Sequence, residues 1–347
     1  MAMAMQFLLS ILLASHLLVV NLAMTGPLCC IWLEHRAGRT QQPDLRMIAV
    51  RRARWSLASL MLVVASGGAL LGLMWLAGDL RLFDAAKLVP VRITHAAWEI
   101  LFSCVCLTVY VIWFGQQKKT RFLGRCLQRL LAILAATNLM YHFPPLFTIL
   151  WQLPRNSALG NEPVSQDAFR QMLLSAEVWA ATIHYWLAAI TTSAIAVMIL
   201  ASRSLQTRKT DGETVSYCIT ISAGRLALLA TVLQIPVGFW LLSTMPANQQ
   251  EKLLGTDWVA TFLLMSALVA TWFLLQQLAS ICWGDFECPP VWRTTGWLCC
   301  VITLMCGALI SSRNSKQAQN HHLPGPSKPA TASDGHRMEP DTTANVP

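Results

Sequence analysis

Four of the eight histidines, His16, His95, His142 and His184, fall inside long apolar runs. An ionisable side chain in such a run is costly to place and marks a functional site by default. Imidazole at that position can relay protons, hold a hydrogen bond or ligate a metal. A thioether, Met265, lies in a further apolar run. Two carboxylates accompany the histidines. Glu99 follows His95 by one helical turn, which is pairing distance, and Glu177 lies two turns before His184 on the same helical face. At the end of a membrane helix, Glu177 could take a proton from a hydroxyl substrate or be plainly solvated.

The elements that must carry these residues are set by solvent. The 347-residue chain is 55% hydrophobic and only 12% charged, with mean hydropathy +0.49. A soluble domain carries roughly 25% charged residues. Eight runs, at 5–33, 56–77, 93–114, 130–151, 172–202, 217–243, 258–281 and 294–310, are long enough to cross a bilayer. In lipid such segments must be helical, so the expected fold is an all-α integral membrane bundle of about eight transmembrane helices over residues 1–310. Bends are expected at Gly26-Pro27, and a bend or an end at Pro144-Pro145. The first run is read as a retained span. It is longer than the apolar core of a leader, and no basic stretch precedes it. Residues 311–347 are polar and rich in Pro, Ser and Thr, and read as a disordered tail that includes His321, His322 and His336.

Basic residues alternate between connections. The first connection holds Arg36, Arg39, Arg46, Arg51, Arg52 and Arg54; the third holds Lys118, Lys119, Arg121, Arg125 and Arg129; the fifth holds Arg203, Arg208 and Lys209. The even-numbered connections are poorer. The positive-inside rule then places odd connections in the cytoplasm and both termini outside, in a membrane of the bacterial inner type. The net charge of +9 is a signal of membrane topology, not of nucleic acid. The eleven cysteines form no C-x-x-C pair and read as small apolar packers.

Counting from the charged cytoplasmic flanks at about 1.5 Å per residue puts His16, His142, His184, His95 and Met265 toward the outer face. Five helices thus contribute to one layer. Imidazoles in apolar surroundings suit low-spin haem b, held by His/His or His/Met pairs. Zinc fits less well, because the layer has no cysteine or carboxylate cluster at ligand spacing. Each histidine alone also has a plain reading as an interfacial or hydrogen-bonded side chain, His95 most of all.

Several of these stretches resemble the large haem-bearing subunit of the bd-type quinol oxidases. His16-Leu17-Leu18-Val19-Val20-Asn21-Leu22-Ala23 is similar to that family's outer-side histidine helix, and Ile183-His184-Tyr185-Trp186-Leu187-Ala188-Ala189 to its haem-ligating helix. Leu233-Gln234-Ile235-Pro236-Val237-Gly238 resembles its L-Q-x-x-x-G, and Phe262-x-x-Met265 its methionine-ligand motif. The resemblance favours His184 and Met265 as an axial pair of haem b; from the shared depth, His16 is expected on a second haem with His142 a possible partner, although the His142 and His95 stretches are not part of the family pattern. It also implies quinol as substrate, and a second subunit or a periplasmic haem protein as partner. The chain departs from the family at Phe239, where an aspartate is usual, and at Leu263, where an arginine is usual. The connection after the sixth run is short, and the eighth run has no glutamate. An electron-transfer module with little oxygen reduction of its own is therefore the expectation. The competing class is a haem-free transporter or structural multi-pass protein with interfacial histidines. Orientation is testable without reference to haem. A cysteine introduced between residues 34 and 54 should resist membrane-impermeant reagents on intact cells, and its labelling would reverse the assigned topology.

Overall fold

Lipid offers a backbone no hydrogen-bond partners, and the chain satisfies its own with helices. The computed structural model describes residues 2–40, 43–115, 122–155, 162–207, 213–284 and 288–314. Its helices are α1 (Ala2–Thr40), α2 (Pro43–Leu76), α3 (Arg81–Leu88), α4 (Pro90–Gly115), α5 (Phe122–Gln152), α6 (Gln166–Leu173), α7 (Ala176–Thr207), α8 (Glu213–Thr244), α9 (Ala247–Glu251), α10 (Trp258–Cys282) and α11 (Cys288–Asn314). Eight of these, α1, α2, α4, α5, α7, α8, α10 and α11, are long and apolar enough to span a membrane. The protein is an all-α multi-pass membrane protein whose outward apolar side chains meet lipid. The tail beyond residue 314 and the basic residues Lys118, Lys119, Arg121, Arg208 and Lys209 lie outside the described residues.

Among consecutive helices α1 packs most extensively on α2 and α7 on α8, and α1 packs in turn on α7 and α5. Short amphipathic α3 and α6, read as loop in the sequence, cover the end where α2, α5 and α7 meet. There Leu82, Ala85, Phe169, Ile149 and Val178 form a separate apolar cluster. Ser165 caps α6 by accepting from the Ala168 amide, and Arg92 lies over the Phe169 ring at 4.6 Å, tying α4 to α6. A glycine with positive φ, Gly255, turns the chain into α10, where Asp257 accepts from the Val259 and Ala260 amides.

Neither proline site ends its helix. Pro144 leaves the carbonyl of Met140 without its i+4 donor. The indole Nε1 of Trp186, on α7, donates to that carbonyl at 2.8 Å, so α5 continues to Gln152.

The first basic connection is placed differently from the sequence expectation. Residues Arg46, Arg51, Arg52 and Arg54 belong to helix α2, and Arg52 is completely buried. Its guanidinium donates to the Leu22 carbonyl at 3.1 Å, to Ser193 Oγ at 2.9 Å and to Ser56 Oγ at 3.0 Å. Asn21, Thr25 and Thr192 complete a polar seam between α1, α2 and α7, with Thr25 Oγ1 donating to the Ala189 carbonyl at 2.7 Å. Among the described residues no carboxylate pairs with Arg52. Gly26 is what lets it fit: a Cβ there would collide with Ser56 Oγ and come within 2.8 Å of both terminal nitrogens of Arg52. Gly26→Ala should therefore destabilise the bundle by about 1–3 kcal/mol, as overpacking does elsewhere. A thermal midpoint in detergent equal to that of the parent would show that the helices do not meet so closely.

Candidate functional site

Helix length sets the depth of each candidate. Ser66, which meets His16, lies ten residues before the end of α2, and His142 ten before the end of α5; His184 lies eight and Met265 seven after the starts of their helices. At about 1.5 Å per residue these are depths of roughly 10–15 Å from the same end of the bundle. His95 lies nearer that end, in the second turn of α4, and is exposed.

Each histidine faces a different neighbour. His16 Nδ1 is 2.9 Å from Ser66 Oγ on α2, and a Cβ on Gly67 would sit 3.3 Å from its ring. His142 Nδ1 is 3.1 Å from Glu99 Oε1 on α4. The sequence pairing of Glu99 with His95 is thus replaced by a contact between helices. Asn138 braces this contact, donating to the Glu99 carbonyl and to Ser103 Oγ, each at 2.9 Å. His16 thus meets α2 through Ser66, and His142 meets α4 through Glu99.

His184 stands apart. Its Nδ1 is buried and has no hydrogen-bond partner among the described residues. Gly238 of α8 faces it, so that an added Cβ would rest 3.7 Å from the ring. Met265, on α10, is 45% exposed. Helices α7 and α10 share no substantial packing face, but both pack on α8. Glu177 occupies the first turn of α7, where the helix N-terminus favours a carboxylate.

A cavity of about 420 Å³ opens between α4, α5, α6 and α7. Glu99, His142 and His95 line it together with Tyr141, Trp179 and Thr182. Periodicity did not single out this cavity, because its residues come from four helices. The local signals were His95, Glu99 and His142, each singled out as a polar anomaly but not as neighbours in one cavity. Among the described residues no three His, Cys, Asp or Glu side chains converge as a metal cluster.

No family model matches the sequence, and no curated protein matches it. Among solved structures the chain is similar to the bd oxidase from Geobacillus thermodenitrificans. The TM-score is 0.63 at 14% identity, over 89% of this chain and 84% of that one. At that identity the likeness is one of fold: the chain has a distant bd-oxidase-like helical bundle.

Proposed function

We propose that this chain is a cytochrome bd-like haem b electron-transfer protein of a bacterial-type inner membrane, handling quinol-derived electrons at the histidine-bearing end of the bundle. The observation that carries the reading is His184: an imidazole whose buried Nδ1 has no hydrogen-bond partner among the described residues, in a fold of this kind. An orphaned polar atom in an apolar interior is unfavourable unless a ligand satisfies it. Haem b, bound there, would supply reversible one-electron transfer.

The residues fit such a group. Gly238 seats the His184 ring without crowding it, and Ala180 and Ala181 on α7 keep side-chain bulk low nearby. Met265 would be the second residue to hold the haem, since it lies at matching depth on a helix that packs on the same α8. His16 is assigned to a second haem. Its Nδ1 hydrogen bond to Ser66 is the kind of outer contact that orients an iron-binding imidazole and leaves Nε2 for the metal. A second subunit or a periplasmic haem protein would complete the electron path.

The haem-free alternative has one observation in its favour: His16 and His142 are already hydrogen-bonded within the protein. Haem content decides between the two. Detergent-purified protein should show reduced-minus-oxidised haem b bands and a pyridine haemochrome. His184→Ala should abolish or shift one haem signal while the protein still inserts. Complete absence of haem, or unchanged spectra at full occupancy in the variant, overturns the assignment. Met265→Leu, nearly isosteric, should lower the midpoint potential of the same haem, and an identical potential removes Met265 from the site.

A further inference from the structure

Thr182 is the unexplained group in the cavity between α4, α5, α6 and α7. It is 1% exposed, lines the cavity, and its Oγ1 has no hydrogen-bond partner among the described residues. Other threonines on α5 and α7 find partners: Thr192 donates back to the Ala188 carbonyl, Thr137 to the Ile133 carbonyl, and Thr191 Oγ1 lies 3.3 Å from Thr231 Oγ1. A buried hydroxyl left without a partner is costly, and the fold gains nothing from it. Beside it the Glu99–His142 contact uses one carboxylate oxygen and one ring nitrogen, and the two side chains make no other hydrogen bond among the described residues.

We propose that this cavity is the binding site of a quinol headgroup, with Thr182 and the Glu99–His142 pair as its hydrogen-bonding groups. The proposal rests on the quinol-handling function above and gives it a location away from Glu177. Three features select this ligand class. The carboxylate of Glu99 opposes an anionic headgroup and accepts from a hydroxyl. Tyr141 and Trp179 line the cavity and are 61% and 40% exposed on membrane-spanning helices, so a flat ring with an apolar tail can enter from lipid. The volume, about 420 Å³, is that of a small-molecule site, for which roughly 300–1,000 Å³ is usual. Arg92 and Arg170 also line the cavity, with Arg92 over the Phe169 ring and Arg170 3.8 Å from Asp167. A quinol hydroxyl bound here donates its hydrogen bond to the imidazole–carboxylate pair, while Thr182 satisfies its own hydroxyl on the ligand. His142 then belongs to this cavity and not to a haem.

The test uses the full chain in detergent and an azido-benzoquinone photolabel with a short isoprenoid tail, its adducts located by mass spectrometry. Adducts should fall within residues 141–151 or 179–186. Thr182→Val and Glu99→Gln should each reduce labelling about fivefold, the loss of one hydrogen bond. Thr137→Val, on the lipid-facing side of α5, should leave it unchanged. Without quinone, Thr182→Val should melt at or above the parent temperature, because it removes an unsatisfied group. A Thr182→Val protein that melts lower yet labels fully would assign the hydroxyl a structural role and overturn the proposal. Labelling confined to residues 247–256, with haem signals intact, would overturn this site and leave the haem reading standing. Labelling at the cavity in a protein without haem would support the site and overturn the haem reading.

Discussion

A guanidinium with no exposed surface, inside a membrane protein, constrains everything around it. Arginine does not neutralise itself by losing a proton, so Arg52 must be solvated by the protein. The seam supplies a main-chain carbonyl from α1, a hydroxyl from α7 and a hydroxyl from its own helix. Removing one partner of a buried charge costs far more than the net value of the contact. The three helices are therefore held at one separation and one rotation, and Gly26 is the position at which α1 comes close enough for that geometry to close.

The seam also positions the candidate site. Asn21 follows His16 by five residues on α1, and Thr192 follows His184 by eight on α7; the two meet at 3.5 Å. These are rises of about 7.5 and 12 Å. The polar contact thus keeps the two histidine-bearing helices in register, with both imidazoles on the same side of it. Lipid-facing packing alone specifies register weakly, since an apolar helix can slide along another at little cost. A directional hydrogen bond in a medium of low dielectric cannot slide.

Much of this fold was legible in the sequence because hydropathy and helix length are read against a bilayer of known thickness. The eight spans, and the clustering of His16, His142, His184 and Met265 toward one end, follow from counting residues. Arg52 did not, since charge counting treats every arginine as a marker of a connection, and only a tertiary partner such as Ser193 shows that one of them is interior. Glu99 was legible as a polar anomaly but not its partner: helical spacing offers His95, whereas the packing of α4 on α5 presents His142. The amphipathic pieces α3 and α6 were too short to stand out from connecting chain. The orphaned atoms of His184 and Thr182 exist only once neighbouring helices are in place, so no pattern along the chain could have flagged them.

The dependence of Arg52 on α7 also has a time attached to it. Ser193 is 141 residues further along the chain than Arg52. At a synthesis rate of roughly 5–20 residues per second, Arg52 is made about 7–28 s before its last acceptor. Through that interval the guanidinium must borrow water or lipid phosphates. Its position supports this, nine residues and so about 14 Å from the start of α2, within reach of the headgroup region for a long, flexible side chain. The polar seam around Arg52 can therefore close only after α7 has joined the α1–α2 hairpin.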